Sequence, residues 1–191
     1  MVIFALFSIF EVPPMPLYVY LCGGMRPRDG VYWQDIVRAA VPPDENIVYL
    51  DPCKKRKGPE EKEDLPEFMA YDLFDAAKAD IIFVNMEPEN PGGFMLCVEV
   101  GYGMGIHGNK QMRIIVNQDP ENSDNPLYRY RRCINGLGNP NKVYKTLDEG
   151  IVMLRRVVAQ FRKEVDANEA HGEKPGSCGK LFFQFFFFVF I

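Results

Sequence analysis

Closely spaced cysteines are absent and histidine is nearly so. The 191 residues hold only two histidines, and the five cysteines (Cys22, Cys53, Cys97, Cys133 and Cys178) are scattered with no Cys-x-x-Cys pair. A structural zinc site draws four Cys or His ligands from close pairs, and a disulfide framework uses an even set, so both are excluded as organising devices. Free thiols fit a reducing, cytoplasmic compartment. An excess of basic charge is also missing. With 22 Lys and Arg against 26 Asp and Glu, the formal net charge is -4. A nucleic-acid polymer, which demands a basic face, is therefore excluded as a partner. The chain further lacks an apolar run of the ~20 residues that a membrane-spanning helix needs. Residues 1–10 are apolar but carry no basic residue ahead of the apolar stretch, and Pro13, Pro14 and Pro16 come directly after, a poor match to a signal peptide. Residues 181–191 are almost wholly Phe, Val, Ile and Leu, about half a span. A membrane contact through this tail is one reading of it. The simpler one treats 1–14 as an apolar N-terminal extension and 168–191 as a polar linker with a Phe-rich tail, around a single domain at 15–167.

Within that body, short apolar runs rich in β-branched residues alternate with longer segments of helical period. The runs fall at 17–22, 46–50, 80–86, 112–116 and, weakly, 142–144; the helical segments fall at 32–40, 65–79, 94–107 and 146–165. Thr146 and Glu149 have the spacing of a capping box, and Pro42 and Pro43 stop the first helix. The charged segment 54–64 reads as a mobile surface loop. Alternation of this kind predicts an α/β fold: a flavodoxin-like or Rossmann-like doubly wound sheet of about five mainly parallel strands, with helices on both faces. Ligands of such sheets sit outside the carboxyl ends of the strands, so chemistry is expected there.

Three places meet that expectation. At the end of the first strand, Tyr20-Leu21-Cys22 runs into Gly23-Gly24, with Arg26 just beyond. Paired glycines let a ligand approach the backbone, although the third glycine of a dinucleotide fingerprint is missing, and a core tyrosine before an ordinary turn would look the same. In the second helical segment, Leu65, Met69, Ala76 and Ala79 mark an apolar stripe on which Asp72 also falls. A carboxylate there is unfavourable unless paired or used; Asp75, beside Tyr71 and Lys78, is expected in solvent. After the third strand, Asn90-Pro91-Gly92-Gly93 leads into a helix whose one early acid, Glu99, lies between Val98 and Val100. Proximity to the helix N-terminus would keep it ionised against desolvation, as a carboxylate nucleophile requires. Tyr102, one turn on, would orient it, and Gly101, Gly103 and Gly105 suggest close packing on the sheet.

Taken in order over about 17–155, these segments resemble the nucleoside 2-deoxyribosyltransferase family. The resemblance is carried by Tyr20-Leu21-Cys22-Gly23-Gly24, by Trp33-Gln34, by Asp72-Leu73 with Ala79-Asp80-Ile81-Ile82, and by Gly93 with Glu99-Val100-Gly101-Tyr102-Gly103, with Lys110 ahead of the fourth strand. It implies a double displacement at C1′ of a 2′-deoxynucleoside. The residue matching Glu99 attacks C1′, that matching Asp72 exchanges a proton with the base, and that matching Tyr20 holds the nucleophile. Two carboxylates about an oxocarbenium-like transition state are the general logic of retaining glycosyl transfer. The resemblance further implies no metal and no organic cofactor, a deoxynucleoside or deoxynucleotide and a free nucleobase as ligands in base salvage, and a homo-oligomer with shared sites. Gly23, Gly24, Arg26, Asn90, Gly93, Tyr102 and Asn117 are then the expected substrate-binding residues. Asn90 stands where the family often carries an acid.

Three other functions compete. The related 2′-deoxynucleoside 5′-monophosphate N-hydrolases have a first-strand loop similar to Cys22-Gly23-Gly24-Met25-Arg26, and Arg26 or Arg28 would suit a 5′-phosphate. Serines expected for that phosphate are missing from 90–93. The Pro-Gly-Gly turn ahead of Glu99 is similar to a phosphoribohydrolase signature of the cytokinin type, but Phe94-Met95-Leu96 replaces the glycine-threonine step. A non-catalytic nucleotide-binding module would accommodate the Phe-rich tail, yet would have little reason to keep two carboxylates among apolar neighbours.

Overall fold

Strand positions in this chain alternate between two apolar faces, and each face is covered by helices. The computed structural model describes residues 15–55, 65–87, 93–118 and 143–171. The N-terminal extension, most of the charged segment 54–64, Asn90 with its Pro-Gly turn, and the Phe-rich tail lie outside them. The strands are β1 (Leu17–Gly23), β2 (Ile47–Leu50), β3 (Ile81–Met86), β4 (Met112–Asn117) and β5 (Val143–Tyr144). The helices are α1 (Trp33–Ala40), α2 (Leu65–Lys78), α3 (Gly93–His107) and α4 (Leu147–His171). All strand pairs are parallel and the order is β2-β1-β3-β4-β5, that of a flavodoxin-like sheet. β1 therefore has β2 on one side and β3 on the other, and the direction of winding reverses beside it.

The period of two assigns the residues to faces. Leu17, Val19 and Leu21 of β1, Ile81 and Phe83 of β3, and Ile114 and Val116 of β4 share one core with Trp33 and Val37 of α1 and with Ile151, Leu154 and Val158 of α4. Tyr20, Cys22, Ile82, Val84 and Ile115 share the other with Ala76 of α2 and Leu96 and Val100 of α3. α4 starts at the expected capping box: the Glu149 amide donates to Thr146 Oγ1 (3.2 Å) and the Lys145 amide to Glu149 Oε2 (2.8 Å).

Three details differ from expectation. α4 continues through 168–171, where polar composition suggested linker, because no glycine or proline falls between Gly150 and Gly172. Asp75 is buried rather than solvated, with 4% of its surface exposed. Positions 72, 75, 76 and 79 complete one helical stripe, so Asp75 faces inward with Asp72, whereas Met69 is partly exposed. Of Gly101, Gly103 and Gly105 in α3, only Gly103 packs on the sheet. A Cβ there would lie 2.5 Å from Gln111 Oε1 and 2.9 Å from Ile82 Cδ1, whereas Gly101 and Gly105 have nothing near the corresponding position.

Gln111 cannot give way easily, since its amide nitrogen donates to the carbonyls of Ala76, in the last turn of α2, and of Ala79 just beyond it, each at 2.8 Å. Gly103→Ala is thus expected to destabilise the protein by about 1–3 kcal/mol through overpacking. Gly105→Ala, half a helical turn further on, should instead stabilise it by about 0.8–1 kcal/mol through helix propensity. Urea unfolding of the two variants beside the wild type checks the opposite signs.

Candidate active site

The winding reverses between β1 and β3, and sheets of this order bind ligands outside the carboxyl ends of the strands at that point. The turn that leaves β1 is tightly built. A Cβ on Gly23 would fall 2.6 Å from the Asn85 carbonyl oxygen and 2.7 Å from Trp33 Cζ2, so no larger residue fits. The Gly24 carbonyl accepts from Trp33 Nε1 (2.8 Å) and Gln34 Nε2 (3.2 Å), and the Trp33 ring stacks on Phe83 with centroids 6.0 Å apart. The room that Gly23 creates is therefore occupied by Trp33 rather than left for a ligand, a correction to the expectation from sequence. Beyond Gly24, Arg28 and Val31 exchange two backbone hydrogen bonds of 2.9 Å around Asp29 (φ 50°) and Gly30 (φ 79°). Both central residues with positive φ make a tight turn of the hairpin kind, which Asp-Gly suits. Arg26 and Arg28 are exposed on this projection.

Directly beneath lies Glu99. Leu96, Glu99, Val100 and Gly103 form the inward stripe of α3, and the side chain of Glu99 is buried, with the residue 6% exposed. The same face of β1 presents Tyr20 and Cys22. The Cys22 thiol donates to Glu99 Oε2 at 2.8 Å, both groups buried. The Tyr20 hydroxyl approaches the same carboxylate closely enough to favour its charge, without reaching strict hydrogen-bond geometry. Asp72, buried on the inward stripe of α2, acts electrostatically on both Tyr20 and Cys22. The structure thus brings together Tyr20, Asp72 and Glu99, the three expected catalytic residues, and adds Cys22.

Burial dominates the electrostatics. It pushes the Glu99 carboxyl above the ordinary glutamate value, and the Cys22 and Tyr20 hydrogens act in the opposite sense. Burial and then the Glu99 charge drive the Tyr20 phenol and the Cys22 thiol far upward, so both remain protonated donors. The helix terminus is not what keeps Glu99 charged. α3 begins at Gly93, and a residue six positions along lies beyond the first turn, where the dipole effect fades. Nor does Tyr102 orient the carboxylate. It is 46% exposed, and among the described residues no hydrogen bond joins it to Glu99. Cys22 takes that place, and a period of two counted back from the strand end, with Tyr20 already assigned to that face, would have found it.

The remaining expected residues fall on other elements. Gly93 is the first residue of α3, Asn117 is buried at the carboxyl end of β4 opposite Met86, and Asn90 lies outside the described residues. Lys110 precedes β4 and so lies at the far end of the sheet from Glu99. Among the described residues no cluster of three or more His, Cys, Asp or Glu is arranged to hold a metal ion, and no helix is long and apolar enough to cross a membrane. No protein-family model and no curated protein matches the chain.

A raised carboxyl has a sign in stability. The folded state holds the Glu99 proton more tightly than the unfolded chain does, so the contribution of this group is full below the unfolded value and is lost as pH rises through the folded one. At pH 7 the buried charge therefore destabilises the fold. Glu99→Gln should be the more stable protein at pH 7, and its advantage should shrink as pH falls toward ~4. Chemical denaturation at several pH values decides it: an advantage that grows on acidification would contradict the assignment.

Proposed function

We propose that the protein is a nucleoside 2-deoxyribosyltransferase-like enzyme that cleaves the N-glycosidic bond of a 2′-deoxynucleoside through a covalent intermediate on Glu99. The observation that carries this reading is the buried Glu99 carboxylate, fastened by the Cys22 thiol at the β1–β3 reversal, with the buried Asp72 near the same Tyr20 and Cys22. In the first step a Glu99 oxygen bonds to C1′ as the C1′–N bond breaks. The bonding pair passes to the base nitrogen, which takes a proton from the Asp72 carboxyl. In the second, a nitrogen of another base attacks C1′ and gives its proton to Asp72, and the Glu99 carboxylate is released. Two carboxylates in these roles account for retention at the anomeric carbon. The chemistry calls for no metal or organic cofactor. Water in place of the second base would make a hydrolase, and the exposed Arg26 and Arg28 on the Asp29-Gly30 turn favour a 5′-monophosphate for that variant. Cys22, Cys53 and Cys97 form no disulfide, which accords with a reducing, cytoplasmic location.

Purified protein is incubated with deoxyadenosine, deoxycytidine or their 5′-monophosphates, with and without a second free base, and the products are separated chromatographically. A new deoxynucleoside is the expected product, with Glu99→Ala losing about 10³-fold or more of the rate and Asp72→Asn about 10²–10⁴-fold. Release of base from monophosphates alone would instead identify the hydrolase. Absence of any Glu99-dependent product would leave a nucleotide-binding module.

A homo-oligomer belongs to the same reading. Apart from Glu99, α3 has no charged residue before His107. Its outer side exposes Val98, Tyr102, Met104 and Ile106 beside Tyr71 and Phe74 of α2. A helix that faces water ordinarily carries polar residues there, and one apolar on all sides is covered. A second copy covers this face. Light scattering coupled to size exclusion is expected to give at least a dimer for the wild type and a monomer for Phe74→Glu combined with Tyr102→Glu. A wild type that is monomeric at micromolar concentration would overturn the assembly.

A further inference from the structure

The nucleophile touches one group to which the double displacement gives no task. Cys22 is completely buried at the penultimate position of β1, and its Sγ stands 2.8 Å from Glu99 Oε2. Its backbone is fixed on both sides. Cys22 pairs with Val84 in the sheet, and the next residue, Gly23, is clamped between the Asn85 carbonyl and the Trp33 ring. The thiol cannot drift without moving the sheet. Among the described residues no hydrogen bond of normal geometry reaches the other carboxylate oxygen, Oε1.

We propose that Cys22 is a positioning residue for the nucleophile: its S–H holds Glu99 Oε2 and so sets the plane in which the carboxylate meets C1′. This role presupposes the glycosyl-transfer reading above, although the hydrogen bond itself does not. The thiol suits the task because it stays protonated. Burial and the adjacent carboxylate both oppose a thiolate, so Cys22 neither repels Glu99 nor competes with it for the electrophilic carbon. Its hydrogen bond in turn favours the ionised carboxylate against the desolvation that surrounds it. The groups that face Glu99 in this way are Cys22 and Tyr20 from β1, with Asp72 from α2 acting on both of them.

The test has two independent readouts. The first is the pH profile of kcat/KM on the deoxynucleoside turned over by the wild type. Cys22→Ala is expected to move the acid limb upward by about one pH unit, the size of a lost hydrogen bond to a charged group. At neutral pH, kcat should fall about tenfold with KM little changed, and Cys22→Ser, which keeps a donor, should restore most of the limb. A residue that only fills space would leave the acid limb in place and make the Ala and Ser variants alike, which overturns the proposal. The second readout needs no turnover. The S–H stretching band assigned to Cys22 by its loss in Cys22→Ala should lie at lower wavenumber than that of an unbonded thiol, and should shift in Glu99→Gln. An S–H band unmoved by Glu99→Gln overturns the proposal whatever the kinetics. A band that moves in a protein with no Glu99-dependent turnover retains the hydrogen bond but removes the glycosyl-transfer reading and the positioning role with it. Thermal unfolding of both Cys22 variants beside the wild type confirms that folded proteins are compared.

Discussion

A carboxylate withdrawn from water between a strand and a helix is the constraint around which this fold is arranged. Glu99 is on the inward stripe of α3 with Leu96, Val100 and Gly103, and burial alone would drive its proton back on. The strand opposite must then supply donors at matching height. β1 does so twice, two residues apart, with Tyr20 and Cys22 on the face that meets α3. The sheet order adds the rest: because β3 returns to the other side of β1, α2 comes to lie beside α3 and carries Asp72 within electrostatic reach of the same pair. One strand and two helices thus converge on a single buried charge.

The turn after β1 shows how such convergence is made rigid. Gly23 has no side chain because the indole of Trp33 and the backbone of Asn85 fill the volume a Cβ would need, and the Gly24 carbonyl is bound from two sides by Trp33 and Gln34. Trp33 in turn rests on Phe83 in the opposite core. The two apolar cores are therefore linked through this turn, and the strand end bearing Cys22 is anchored from the face that does not hold the site. A site supported on rigid elements keeps its geometry better than one carried on a loop.

Much of this organisation was legible because it depends on periods. Alternation of apolar runs and helical segments predicted five strands and four helices, each found within a few residues, apart from the longer end of α4. Asp72 and Glu99 stood out because each broke an apolar stripe. Legibility ended where a side chain's environment is set by a partner element. Asp75 satisfies the spacing of the inward stripe as well as Asp72 does, and only the packing of α2 against α3 shows that both are turned in. Tyr102 has the spacing to reach Glu99 along the helix, yet its ring points outward and the thiol across the interface takes its place. Likewise the paired glycines had two explanations of equal form, a ligand or a neighbouring ring, and nothing in local sequence distinguishes Trp33 ten residues on from a substrate.

Neutral donors beside the carboxylate that we propose as nucleophile have their own physical logic. A lysine or arginine beside Glu99 would secure its ionisation, but a full opposing charge would draw the electron pair toward itself and weaken attack on carbon. Water would ionise the carboxylate too, at the expense of a hydration shell that the proposed attack on C1′ would first have to remove. A thiol and a phenol, both pressed toward their protonated forms by burial, offer a third solution. The thiol stabilises the charge by a directed hydrogen and the phenol by its proximity, neither neutralises it, and neither can take it over. The negative charge stays on the glutamate, raised in basicity by its surroundings and fixed in direction by the thiol.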